Sequence, residues 1–313
     1  MELRCGLRRA QRDAVISIGN FDGLHLGHQA LLRRVDALAG KDVFARGLDR
    51  VAVSFEPLPR EVFAPAGAAP IPRLSSLREK LKVLAGLGYV DALHVLRFDR
   101  ALAGLSAEDF VRRVLCASLR ARQVVVGEDF RFGQGRRGDV EMLRSMGAAL
   151  GFGVEIVAPV DVDGARVSST RVRAALQAGR LDGAAVLLGR PYALCARVVH
   201  GDKRGRLLGF PTLNLPLGRT HFALHGVYAV EVHGLDGQML YGVANAGVRP
   251  TVGGLVPRVE AHVFDWAGDA YGQQVELRFR AFLRAEQRFA GLDALVTQIG
   301  MDAQQARAFF GQG

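Results

Sequence analysis

No apolar run in this 313-residue chain reaches the ~18 residues that a membrane-spanning helix needs. The Arg-rich N-terminus leads into its first strand-like segment without the apolar core of a signal peptide. The expectation is a cytoplasmic chain with no membrane partner. Cysteine is scarce. Cys5, Cys116 and Cys195 are far apart and odd in number, which fits neither a disulfide framework nor a zinc site. They read as plain thiols of a reducing compartment. Lysine is scarcer still for so basic a chain: it stands only at 41, 80, 82 and 203, although the net charge is +10. The arginines are spread out, with no long basic run and no basic amphipathic helix. That distribution suits phosphate-bearing small substrates better than nucleic acid, and no nucleic-acid partner is expected. The pattern GxxxxGK[ST] is absent, which excludes a P-loop kinase.

What is present is enough apolar residue, 49%, to build real cores, in a length suited to about two domains of ~150 residues. The first half alternates. Strand-like runs at 14–18, 51–55, 92–96, 123–126 and 154–157 are separated by helical patterns near 27–39, 75–87, 106–119 and 139–150. Such alternation predicts a parallel sheet covered on both faces. A further helix near 169–178 ends at Gly179, and residues 179–190 read as a short helical linker. From Tyr192 the character changes to short strands near 193–199, 226–232, 240–245, 258–264 and 274–279, parted by turn dipeptides such as Asp236-Gly237 and Gly253-Gly254. This predicts a small antiparallel barrel, with an amphipathic helix over about 292–310 packed on its side. The loop 64–72, APAGAAPIP, lies inside the first domain.

Residues 19–32, GNFDGLHLGHQALL, follow the first strand and open a helix. In a doubly wound sheet, ligands gather at the carboxyl ends of the strands. Gly23 and Gly27 let the backbone approach a ligand, and the helix N-terminus favours anions. His25 and His28 share one side of the first helical turn, where two imidazoles can stabilise charge on a transferring phosphate.

The H-x-G-H pattern after a first strand resembles the nucleotidyltransferase superfamily. A class I synthetase of that superfamily would add a KMSKS-like loop, which is absent. Ser168-Ser169-Thr170-Arg171-Val172-Arg173 resembles the SSTxxR motif of its adenylyltransferases. Val126-Gly127-Glu128-Asp129-Phe130-Arg131-Phe132-Gly133 resembles the VGxDFxFG segment of the bacterial bifunctional riboflavin kinase/FMN adenylyltransferase (FAD synthetase) family, and the stretch 54–63, SFEPLPREVF, is similar to that family's TFEPHP region. Leu58 stands where the family often has histidine, and no role is assigned to it.

The likeness continues to about residue 307. The glycine-flanked basic loop 200–206, HGDKRGR, leads into Pro211-Thr212-Leu213-Asn214, which resembles the kinase PTxN motif. Residues 245–254, NAGVRPTVGG, resemble its GxRPT…GG loop, and the strand after them carries Glu260. Tyr271-Gly272 and residues 282–289 match its closing segment.

The resemblance implies a Rossmann-like α/β nucleotidyltransferase domain with a parallel sheet, 1–182, and a small antiparallel β-barrel riboflavin kinase domain with a C-terminal helix, 183–313. It implies ATP-dependent phosphorylation of riboflavin to FMN, then adenylylation of FMN to FAD with release of pyrophosphate. Glu260, His25 and His28 are the expected catalytic residues. For adenylylation, Gly19, Asn20, Phe21, Asp22, Gly23, His25, His28, Ser168, Ser169, Thr170 and Arg173 are expected on ATP, and Phe63, Asp129, Phe130 and Phe132 on the flavin. In the kinase, Gly201, Lys203, Gly205, Thr212 and Asn214 are expected on ATP, and Arg284 and Phe289 on the flavin. Mg²⁺ is expected at the hard oxygens of Thr212 and Asn214. Two alternatives stay open: a monofunctional riboflavin kinase whose N-terminal domain has decayed, and a nucleic-acid-binding or regulatory flavin protein.

Overall fold

Ala14–Ile18 reads AVISI, and every one of its residues is buried. A strand apolar on both faces belongs inside a parallel sheet with helices on each side. The computed structural model describes residues 1–41, 47–65, 67, 71–201, 205, 208–217, 222–251 and 254–312, without the side chains of 41, 248–251 and 254–256. The chain divides into two compact units, Met1–Ile71 with Lys80–Ser168, and Pro72–Glu79 with Ser169–Gly313.

The first unit holds strands β1 (Glu2–Cys5), β2 (Ala14–Ile18), β3 (Asp49–Glu56), β4 (Ala92–Arg97), β5 (Ala121–Gly127) and β6 (Gly153–Val157), all paired in parallel in the order β1-β4-β3-β2-β5-β6. The expected strands are all there. The edge strand β1 is an addition, because its sequence ELRC is mostly exposed and carries no apolar run. Ile16 and Ile18 point with Val53, Leu96 and Val124 into a core closed by Phe110, Val114 and Leu143. These three come from the helical stretch Ala107–Asp109, which continues as a π-helix over Phe110–Ser118, and from the helix Val140–Leu150. Helix Leu26–Lys41 packs on β2, β3 and β5 and buries Leu32 and Val35. A short hairpin, β7 (Asp161–Val162) with β8 (Ala165–Arg166), completes this unit.

In the second unit, helices Ser169–Gln177 and Leu181–Leu188 precede β9 (Ala193–Arg197), β10 (Leu213–Pro216), β11 (Gly226–Leu235), β12 (Gln238–Thr251), β13 (Gly254–Val263) and β14 (Gln274–Arg284). These strands run antiparallel in the order β10-β13-β12-β11-β14-β9. A bridge between Val199 and Asn214, whose carbonyl accepts the Val199 amide at 3.0 Å, joins the two outer strands and closes the sheet toward a barrel. Strand β10 was not among the expected strands, since it is only four residues long and ends in a proline. Asp236 (φ 49°) and Gly237 (φ 69°) form the two-residue turn between β11 and β12. Both left-handed positions match the twist of the hairpin. The Gly253 half of the other turn dipeptide lies outside the described residues. The C-terminal helix Leu292–Phe309 packs Ala303 and Ala306 against Val227, Ala229 and Val243.

Candidate active sites

Residues 19–25 join β2 to its helix where the sheet order reverses, with β3 on one side of β2 and β5 on the other. Ligands of open α/β sheets bind at that switch point. Phe21 and Leu24 take left-handed φ values of 45° and 48°, with Gly23 at 84° between them. Such a conformation costs a large side chain on the order of 1–3 kcal/mol and persists only where its surroundings fix it. Both side chains are fully buried here. Donors from elsewhere in the unit hold the loop carbonyls. Lys80 Nζ donates to the Asn20 carbonyl at 2.8 Å, and the Ser54 hydroxyl donates to the same oxygen at 3.1 Å. Gln29 Nε2 donates to the Leu24 carbonyl at 2.9 Å. Asp22 is buried inside the loop.

The loop delivers His25 to the position just before the helix. Its Nδ1 accepts the His28 amide at 3.4 Å, which leaves the ring proton of a neutral imidazole on Nε2. The two imidazoles stack, with centroids 3.7 Å apart and planes 16° apart, and Phe21 meets His28 edge-on at 5.3 Å. A methyl group at Gly27 would sit 3.2 Å from Cε1 and Nδ1 of His25, so glycine is what leaves room for the ring. The Val167 carbonyl lies 3.7 Å from the same point. Ser168, the next residue, therefore starts beside the histidine turn. Ser169, Thr170 and Arg173 follow on helix Ser169–Gln177 in the second unit. There Arg173 is buried and its Nε donates to the Pro72 carbonyl at 2.7 Å.

The four residues expected on the flavin side of adenylylation differ in setting. Phe63 is 65% exposed, its ring edge-on to Phe98 at 5.7 Å. Phe130 is half-buried and stacks on Phe132 at 5.6 Å. Phe132 is a core residue, packed on Phe110 and against Gly138, where a Cβ would come within 2.7 Å of its ring. Asp129 accepts from Arg166 at 2.8 Å, and that hydrogen bond holds its carboxyl below the usual carboxylate range.

The second unit has two neighbouring cavities. One, of about 420 Å³, has apolar walls that include Phe210, Val243 and Ile299, with Asn245, Glu260 and Glu286 among its polar groups. The other, of about 600 Å³, is lined by Val198, Trp266, Asp269 and Tyr271 among others. Thr212 and Asn214 line both. Strand register fixes what surrounds them. Asn214 on β10 pairs with Glu260 on β13, which pairs with Asn245 on β12, so three polar side chains stand in a row across the sheet. His262, two residues beyond Glu260, donates from Nδ1 to the Pro211 carbonyl at 2.9 Å and steadies the backbone just before Thr212.

The glycines of the basic loop press on the same two residues. A Cβ at Gly201 would overlap the Asn214 amide, and one at Gly205 would lie 3.3 Å from Thr212 Oγ1. Lys203 lies outside the described residues. Arg284 and Phe289 line the smaller cavity. The Arg284 guanidinium is held by both oxygens of buried Asp302, at 2.8 and 2.7 Å. Two groups escaped the sequence reading. Neither Lys80 nor Arg258 belongs to a motif that the sequence singled out. Arg258 Nη1 donates to Asn214 Oδ1 at 3.3 Å and to Glu260 Oε1 at 3.2 Å.

A helix-start histidine pair on a doubly wound sheet, followed by a barrel with paired cavities, defines the class: an α/β domain with a phosphate-type site joined to a β-barrel domain with a site of its own. The FAD synthetase family model matches residues 7–171 and the riboflavin kinase model matches 188–310. The bifunctional riboflavin kinase/FMN adenylyltransferase of Escherichia coli strain K12 is 47% identical over 96% of this chain and 94% of its own length. The enzyme of the same name from Haemophilus influenzae is 40% identical over 99% of each chain. A crystal structure described as a macrolide-efflux protein from Streptococcus pneumoniae shares the fold, with a TM-score of 0.82 and 31% identity over 98% of this chain and 99% of that one. Its name speaks of transport, whereas no helix among the described residues here is long and apolar enough to cross a membrane. The chain belongs to the bifunctional riboflavin kinase/FMN adenylyltransferase family.

Proposed function

We propose that this chain makes FAD from riboflavin in two ATP-dependent steps, with a kinase in residues 183–313 and an adenylyltransferase in 1–182. The observation that carries the kinase half is that Thr212 and Asn214 form a wall shared by two cavities, with Glu260 beside them. The first cavity is assigned to the flavin ring and the other to ATP. The ribityl 5′-hydroxyl then reaches the shared wall, where the Glu260 carboxylate takes its proton as the oxygen attacks the γ-phosphorus. ADP leaves and FMN forms.

Among the described residues no group of three or more His, Cys, Asp or Glu side chains could hold a metal ion. The oxygens of Thr212 and Asn214 fit Mg²⁺, which takes its other ligands from water and phosphate. When bound, Mg²⁺ neutralises charge on the phosphates.

In the first domain an FMN phosphate oxygen attacks the α-phosphorus of a second ATP, and pyrophosphate leaves. His25, His28 and the helix amides behind them stabilise the added negative charge. Ser168, Ser169, Thr170 and Arg173 hold the leaving phosphates. Exposed Phe63 and half-buried Phe130 are the aromatic contacts for the flavin. Both substrates are small molecules of the cytoplasm, where the enzyme works.

A crossed experiment tests the assignment. Glu260→Gln keeps the shape and removes the base, so riboflavin persists while supplied FMN still becomes FAD. His28→Ala stops riboflavin at FMN. Each loss is about 10²–10⁴-fold. Separation of the flavins reads both, and mixing the two variants restores FAD. Normal riboflavin phosphorylation by Glu260→Gln, or normal FAD formation by His28→Ala, removes that residue from its role.

A further inference from the structure

Two arginines line the apolar cavity of the second unit, and they are held differently. Arg284 is locked onto Asp302 by two short bonds, at 2.8 and 2.7 Å. Arg258 instead shares a single nitrogen, Nη1, between Asn214 Oδ1 at 3.3 Å and Glu260 Oε1 at 3.2 Å. Charge-assisted bonds of full strength are shorter, about 2.7–2.9 Å. The Arg258 side chain is 27% exposed, so water is at hand to receive its guanidinium if it leaves. Its place is set by the sheet. Arg258 stands two residues before Glu260 on β13, hence on the same face, two pairs along from the Asn214–Glu260 pairing.

Asn214 has one side-chain oxygen. A cation that ligates this oxygen must share it with the Arg258 N–H, and two positive groups at one oxygen repel each other. Building on the reading of Asn214 as a cation ligand and Glu260 as the base, we infer that Arg258 is a placeholder for the divalent cation. Without substrates its guanidinium covers Asn214 and neutralises Glu260. When the cation arrives with the nucleotide, Arg258 gives up Asn214 and loosens from Glu260. The carboxylate thereby loses a hydrogen-bond donor only once the phosphate to be transferred is in the site.

The sign of one measurement separates this role from a structural tie. Removing a tie weakens cation binding, whereas removing a competitor strengthens it. The probe is Mn²⁺ in the presence of ADP, followed by the electron paramagnetic resonance signal of the free ion, on the full-length chain. Nucleotide in the first domain contributes the same background to every variant. Arg258→Met, similar in length and uncharged, is expected to tighten Mn²⁺ binding about three- to tenfold, the range for a partly exposed charge pair. Arg258→Lys keeps a cation there and stays near the parent value. In an Asn214→Ala background the gain from Arg258→Met disappears, because the contested oxygen is gone. The Mg²⁺ concentration for half-maximal riboflavin phosphorylation falls in parallel.

Unchanged or weaker Mn²⁺ binding by Arg258→Met, while Asn214→Ala does weaken it, overturns the placeholder and leaves the cation site standing. Full Mn²⁺ binding by Asn214→Ala overturns the cation site itself. Circular dichroism melts accompany each variant. If Arg258→Met does not fold, Arg258→Gln carries the same test.

Discussion

Lys80 shows how much one buried side chain can decide. It is 1% exposed, and its ammonium is placed on the Asn20 carbonyl at 2.8 Å and near the Ser54 hydroxyl at 3.4 Å. An ammonium is costly to bury, so its partners must replace the lost water. In return the loop that carries His25 and leads into the helix of His28 is fixed from behind. Lys80→Met keeps the length and the apolar stem but removes that donor. The expected result is a fall in the kcat of FAD formation of about 10²-fold, the scale of a 1 Å misplacement of catalytic groups. FMN formation by the same molecules should stay normal, and the imidazole proton resonances of His25 and His28 should move as their stacking loosens. Normal FAD turnover with unmoved resonances would mean that the loop keeps its shape without this lysine.

At the scale of elements, the start of β3 is sewn to the start of β4 by Arg50 and Asp91. The Asp91 carboxylate accepts both the Arg50 amide, at 3.0 Å, and its guanidinium, while the Asp91 amide donates to the Arg50 carbonyl at 2.8 Å. The Arg50 side-chain hydrogen bond holds the Asp91 carboxyl below its usual range. A carboxyl lowered by folding adds stability above its unfolded value, near 4, and loses it as pH falls through the folded value. Asp91→Asn should therefore lower the thermal midpoint at pH 7 and have little effect near pH 2. Solvent reaches both side chains, which limits the pair to about 1 kcal/mol. An equal loss at both pH values would assign the effect to the backbone turn instead.

Elements differ in how plainly the sequence announces them. Parallel strands such as AVISI are buried on both faces and read as unbroken apolar runs. Strand β10 is brief and ends in a proline, and β1 is an exposed edge, so neither carries such a signal. The site divides in the same way. The histidine pair stood out from residue type and spacing after a strand, whereas the hydroxyls and Glu260 were picked out by the likeness of short motifs that are local in sequence. Lys80 acts on a loop sixty residues away, and Arg258 on a partner across the sheet. Only the folded register brings those groups together.

For the whole molecule, the division of labour and the division of contacts do not coincide. Residues Pro72–Glu79 cluster with the second unit although they lie deep in the first half of the sequence. Leu74 accepts the Tyr192 hydroxyl at 2.9 Å, and the Glu79 carboxylate accepts the Cys195 amide at 2.8 Å. A fragment 183–313 should make FMN and no FAD, but should melt well below the second transition of the intact chain, because β9 and Tyr192 lose these partners. Supplying a peptide of residues 71–90 should recover part of the difference. A fragment as stable as the intact chain would show that this segment adds nothing to the barrel, and a folded fragment that makes no FMN would refute the boundary.

The common wall of Thr212 and Asn214 also bears on the order of events. Each cavity has its own lining on either side of that wall. If riboflavin and ATP occupy these cavities as proposed, neither need cross the other's seat to reach its own, and either is expected to be able to arrive first. With the flavin ring and ATP seated as proposed, the product of phosphate transfer keeps its ring in one compartment and its new charge at the threshold of the other. FMN that lingers there obstructs the next ATP as well as the next riboflavin. With the substrates seated as proposed, the barrel is expected to slow its own first step whenever the first domain fails to draw FMN off.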